Sequence, residues 1–122
     1  MAKPTSVVDK VRAICTAFPE VTEKLSHGAP SFFVRKQFVA VWPDGHHDQH
    51  FPHMWCAAPA GAQEALIAAR PDRVFRPPYF GHRGWLGVRL DGAVDWDEVA
   101  ELCDAAYRAV APAKLVAALD RG

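Results

Sequence analysis

Two stretches of this 122-residue sequence gather side chains that can do chemistry. The first is Phe75-Arg76-Pro77-Pro78-Tyr79-Phe80-Gly81-His82-Arg83-Gly84-Trp85. Pro77 and Pro78 fix φ and favour an extended, pre-ordered backbone. Gly81 and Gly84 allow backbone angles that other residues avoid, so a bent, exposed turn presenting His82 and Arg83 is expected. Tyr79, Phe80 and Trp85 flank that turn. An arginine among aromatic rings suits an anion with a stacking surface. A histidine, titrating ordinarily near pH ~6.5, suits proton transfer or a hydrogen bond to the same anion. No nucleophile stands beside it in the sequence. The plainer reading is a surface loop whose rings plug the end of the core while His82 bonds to neighbouring backbone.

The second stretch is His46-His47-Asp48-Gln49-His50-Phe51-Pro52-His53. Imidazoles and a carboxylate packed this closely are ligands for a borderline divalent ion such as zinc, nickel or copper, with His46, His47, His50 and His53 as the candidates. Their spacing matches no structural zinc pattern, and a flexible His-rich loop is the simpler account. Cys15, Cys56 and Cys103 are odd in number, far apart and set among apolar residues, which fits buried free thiols better than disulfides or a C-x-x-C metal site. There is no G-x-S-x-G, P-loop, H-E-x-x-H or dinucleotide-binding glycine pattern. No catalytic role and no cofactor are therefore assigned.

Fourteen basic residues balance fourteen acidic ones, which excludes a histone-like coat and an acidic solvating tail. The balance is uneven along the chain. Arg70, Arg73, Arg76, Arg83 and Arg89 are opposed only by Asp72, whereas Asp91, Asp95, Asp97, Glu98, Glu101 and Asp104 follow without a basic residue. With Arg35 and Lys36 at an expected hairpin tip, one positive face for phosphates is a possible arrangement. Such a face would neutralise few phosphates, so binding would be weak and strongly salt-dependent. The alternative is that these charges merely solvate separate faces. No helix-turn-helix, RNP or zinc-finger pattern supports base reading.

The elements that must position these residues follow from periodicity. Val7, Val8, Val11, Ile14, Cys15 and Phe18 form the apolar stripe of a first helix, capped by Ser6 with Asp9 and ended by Pro19. Strands are expected at Lys24–His27, Ser31–Arg35 and Phe38–Trp42, the last two joined by a tight turn at Lys36-Gln37, with Pro43-Asp44-Gly45 as the next turn. A further strand at His53–Ala58 precedes a helix from Ala60 to Ala69. Short strands at Arg73–Arg76 and Trp85–Leu90 lead to a long helix capped by Asp95 and Glu98, and Pro112 starts a terminal helix through Leu119. This order predicts a single α+β domain over residues 1–122, an antiparallel sheet with helices packed on one face. No apolar run is long enough to span a bilayer and no signal-peptide pattern opens the chain, so a cytoplasmic protein with no membrane partner is expected.

The run Pro77-Pro78-Tyr79-x-Gly81-His82-x-Gly84-Trp85, followed by Val88-Arg89-Leu90-Asp91 and Asp95-Trp96-Asp97-Glu98-Val99, resembles the MmcQ/YjbR family. Phe18-Pro19-x-Val21, Ser26-His27-Gly28-x-Pro30-x-Phe32 and Tyr107-Arg108-x-Val110-Ala111-Pro112 fit it too, so the likeness spans about residues 5–119. The resemblance implies a CyaY-like α+β fold and a DNA-binding role through a "double wing" of β-hairpins. On that implication, DNA or another anionic partner would meet Arg35, Lys36, Arg76, Arg83 and Arg89 for charge, Tyr79, Phe80 and Trp85 for stacking or shape, and His82 beside them. A different class of function is a small-molecule or protein-interaction module whose pocket is lined by His82, Arg83 and Trp85.

Overall fold

Residues 6–46 and 49–122 are described by the structure, a computed structural model. Helix α1 (Val7–Cys15) opens where expected: the Ser6 hydroxyl accepts the Asp9 N–H at 3.1 Å, and Val11 and Cys15 are buried. Strands β1 (Thr22–Ser26) and β2 (Ala29–Val34) are joined by His27 and Gly28, both at positive φ (52° and 83°). Paired left-handed residues of this kind match the twist of a two-residue hairpin.

The turn between β2 and β3 (Lys36–Trp42) falls on Arg35 rather than on Lys36-Gln37. Val34 pairs with Lys36, leaving Arg35 alone at the corner with φ 65°. So early a reversal is reconciled further along the strands by a bulge. Phe32 faces Val39 and Phe33 faces Gln37, so Phe38 is an extra residue in β3. One extra residue exchanges the two faces of the strand. Phe38 and Val39 are both buried, and the Phe38 ring meets Tyr107 edge-on at 5.7 Å. Gln37 turns to the opposite face, where its amide donates to the Ser31 hydroxyl at 2.9 Å.

Strand β4 (His53–Cys56) is buried throughout, and the sheet order is completed by β5 (Val74–Phe75) and β6 (Leu86–Arg89) as β1-β2-β3-β4-β6-β5, antiparallel at every pairing. Helix α2 (Ala62–Ala69) begins two residues later than its apolar pattern suggests, because Gly61 takes φ 86° as its N-cap. Helix α3 (Trp96–Val110) starts on Asp95, whose carboxylate accepts the N–H groups of Asp97 and Glu98. Helix α4 (Ala113–Arg121) runs past Leu119, with Asp120 paired to Arg108 at 2.7 Å.

Helices α1 and α3 cover one face of the sheet. There Tyr107 donates its hydroxyl to the Pro19 carbonyl at 2.8 Å, and Cys103 lies 4.0 Å from the Met54 sulfur. Cys15, Cys56 and Cys103 are buried free thiols. Contact with Cys103, then burial, pushes the Cys15 thiol far above its ordinary range, and burial does the same for Cys56. Both stay protonated packing groups. The other face carries aromatic side chains, and among the described residues no long helix lies across it: α2 packs against β5 at the edge, and the chain from 76 to 85 crosses near the middle. Among the described residues no helix is long and apolar enough to cross a membrane.

Candidate functional site

The segment from Phe75 to Trp85 is held by specific bonds. Phe75 pairs with Gly87, and a side chain at Gly87 would fall inside the Phe75 ring. Pro77 is buried, a single 3₁₀ turn spans Gly81–Arg83, and Gly84 closes it at φ 79°. The buried Gln63 amide donates to the Gly81 carbonyl (2.8 Å) and to the Trp85 carbonyl (2.7 Å), tying the turn to α2. Its oxygen accepts from Arg76 at 3.2 Å. Arg76 in turn crosses Gly81 so closely that a Cβ there would lie 2.6 Å from Arg76 Cγ.

The bonded turn projects Phe80 and Tyr79 over the sheet, where they wall a pocket of about 280 Å³. Tyr79 sits at φ 65° and is 66% exposed, a strained and solvent-facing placement for an aromatic residue. Ala40, Gln37, Trp42 and Trp55 form the pocket's sheet side, and Ser26, His27 and His46 close its other sides. Ala40 is what makes the space. It stands opposite Trp55 and Ser31 on the sheet, and a larger residue would occupy the volume.

The rings form one cluster. Trp42 and Trp55 lie 5.1 Å apart, His46 is 4.1 Å from Trp42 and 5.1 Å from Trp55, and Phe80 is 5.4 Å from Trp55. Three of these pairs are tilted and one, His46 on Trp55, is edge-on, the arrangement that adds about 0.5–1.5 kcal/mol beyond area burial. The indole Nε1 groups of Trp42 and Trp55 are buried, with no hydrogen-bond partner among the described residues. A buried donor left unmade costs roughly 1–3 kcal/mol.

Arg83 lies outside this space, its guanidinium 4.7 Å from the Phe80 ring and 5.4 Å from that of Trp85. Trp85 is buried beneath Phe80, and His82 is exposed with no hydrogen-bond or ion-pair partner among the described residues. Of the loop residues singled out from the sequence, Tyr79 and Phe80 line the pocket, whereas His82, Arg83 and Trp85 do not.

The basic residues do not gather at one place. Arg35 binds Glu20 at 3.0 Å, and Arg89 forms a two-point pair with Asp91 (2.9 and 2.6 Å) while lying over Phe51. Lys36 opens β3, whereas Arg89 pairs with His53, which faces Trp42 at the other end of β3. Those ends are roughly 20 Å apart at ~3.3 Å per residue. Arg73 also turns inward, to the Arg89 and Asp91 carbonyls. Lys36, Arg76 and Arg83 have no carboxylate partner among the described residues.

The histidines part ways too. His46 exchanges backbone bonds with Gln49 and lies tilted over Trp42 and edge-on to Trp55, His50 is exposed, and His47 lies outside the described residues. His53 is fully buried in β4. Among the described residues no three His, Cys, Asp or Glu side chains group as metal ligands do.

His53 Nδ1 lies 2.9 Å from the Phe51 carbonyl, so that nitrogen carries the proton, while Nε2 is buried without a partner. Burial holds the ring below its usual pKa, opposed by the Phe51 bond and aided by His46. The unfolded chain therefore takes up a proton that the folded chain resists. Stability is full above the unfolded value of ~6.5 and declines as pH falls below it, by at most about 1.4 kcal/mol per pH unit. Urea unfolding at pH 7.5 and 5.5 should show this loss, and His53→Phe should flatten it.

The aromatic face has a signature in sequence only in part. Trp42 and Trp55 read there as strand residues, and Gln37 and Ala40 carried no signal, since their shared face depends on the Phe38 bulge. The family model described as YjbR matches residues 16–109. Among solved structures, the Deinococcus radiodurans protein DR2400, whose domain is described as DUF419, matches with a TM-score of 0.70 at 20% identity. It covers 90% of this chain and 82% of its own. That degree of identity speaks for the fold alone. No curated protein matches the sequence.

Proposed function

The chain belongs to the YjbR family, and we propose that it serves as a binding domain for a small, largely apolar ligand held in the aromatic pocket. The observation that carries this reading is the pocket's construction from five separate segments, one of them the β3–β4 connection through His46. The β1–β2 turn, β3 with its bulge, β4 and the 76–85 loop each supply walls. Strain is retained at Tyr79, a non-glycine residue at positive φ on its border. A pocket of about 280 Å³ is at the small end of ligand sites, and its lining is aromatic with a few polar groups, the usual make-up of such sites. The test is a titration of the protein with a set of one- and two-ring fragments, read at the indole N–H signals. Fragments that move the Trp42 and Trp55 signals support the reading. A set that leaves both untouched up to millimolar concentration overturns it.

A second reading is DNA binding, favoured by Lys36, Arg76 and Arg83, which lack carboxylate partners among the described residues, and by the exposed Tyr79, which lies between the two arginines in sequence. Three phosphate contacts, fewer than the five cations singled out in the sequence, would give weak affinity that falls with salt less steeply than expected there. Fluorescence anisotropy with single-stranded and duplex DNA at low and moderate salt checks it. On this reading the Arg76→Ala/Arg83→Ala double variant binds at least tenfold less tightly. Absence of binding at low salt, or binding unchanged in that variant, removes it.

A further inference from the structure

We infer that the ligand of this pocket is a planar aromatic ring bearing a carbonyl or carboxylate oxygen, with the ring stacked among the pocket's side chains and the oxygen taken up by indole N–H. The inference rests on the pocket-binding reading above and names the chemistry that reading leaves open.

Size sets the first limit. A cavity of ~150 Å³ holds a benzene ring, so about 280 Å³ admits one ring with a polar substituent or two fused rings.

Charge sets the second. Rings such as Trp42, Trp55, Tyr79 and Phe80 resemble a cage for a quaternary ammonium, which binds ring faces. Among the described residues no carboxylate lines this pocket, and the imidazoles of His27 and His46 on its border carry no negative charge. A cation is therefore disfavoured.

Hydrogen bonding sets the third. Two pocket side chains carry N–H groups that are buried and unpartnered, and an indole N–H can only donate. The ligand must then supply acceptors. Both N–H groups are closed off from water, and His46 lies tilted 4.1 Å from Trp42 and edge-on to Trp55. An entering ring takes over the position of His46 and brings an oxygen where the imidazole brings none.

The experiment titrates the full-length protein with benzoate, benzamide, toluene and tetramethylammonium, followed at the indole N–H signals. Benzoate or benzamide should bind at least tenfold more tightly than toluene, about what one hydrogen bond contributes, and whichever binds better tells carboxylate from carbonyl. Trp42→Phe keeps a ring and removes the donor. It should abolish that tenfold preference, so that benzoate, benzamide and toluene bind alike, with Trp55→Phe as a second variant if one donor dominates. Toluene binding as well as the oxygen-bearing rings, or tetramethylammonium binding best, overturns the ligand class and leaves the pocket reading standing. No probe moving either indole overturns both.

Discussion

Replacing Trp55 with Ala should lower the melting temperature by about 10–20 °C, the largest stability effect expected from any change at the site. Trp55 is 4% exposed in a strand whose residues are all buried, and its ring meets those of Trp42, His46, His53 and Phe80. Large aromatic-to-Ala changes in a core cost roughly 3–5 kcal/mol, the lost transfer energy plus the cavity left behind. In a domain of this size one kcal/mol moves the midpoint by about 3–5 °C. Total stabilities of about 5–15 kcal/mol leave the variant folded but weakened. Calorimetric or circular-dichroism melting measures it directly. A shift under 3 °C would mean that the aromatic cluster carries little of the packing assigned to it.

Ala40→Leu should have the reverse profile: nearly unchanged stability and loss of ligand binding. The added methyl groups enter open volume rather than a filled core, so the overpacking cost of about 1–3 kcal/mol is avoided. The ring they displace forfeits on the order of 100 Å² of burial, which at ~25 cal/mol per Å² is about 2.5 kcal/mol, or close to a hundredfold in affinity. Melting within a few degrees of the parent, with fragment binding gone, places the ligand against β3. Retained binding at parental affinity would put the ligand elsewhere.

These two residues illustrate unequal legibility. Trp55 lies in an apolar run, His53 to Ala58, whose length and content predict a buried strand whatever its neighbours. Ala40 is an unremarkable member of Phe38–Trp42, and strict alternation would put it on the same face as Phe38. The bulge puts the two on opposite faces, and Phe38 goes to Tyr107 while Ala40 opens the pocket. The extra residue follows from Arg35 turning the chain alone, one position before the turn that Lys36-Gln37 suggested. Such a shift depends on pairing with β2, and no local propensity encodes it.

The charges teach the same lesson. Arg89 and Asp91 are two residues apart, so their pairing was available to inspection, yet Arg35 meets Glu20 only because the α1–β1 connection and the β2–β3 corner converge. A run of arginines along the chain is not a patch in space. Strand and helix direction send each guanidinium to its own neighbour.

Helix starts, strand content, the α+β class and the resemblance to one family were all set by local patterns: Ser6 and Asp95 caps, apolar periods, the Pro-Pro-Tyr and Gly-His-x-Gly-Trp runs. Caps and periods act within a few residues, so they survive without knowledge of the rest of the chain. The pocket and the separation of the basic residues came from long-range pairing. Ser26, Gln37, Ala40, Trp55 and Phe80 span more than fifty residues, and only sheet registry brings them to one face. Registry is a cooperative property of whole strands, since one residue of slip turns every side chain over.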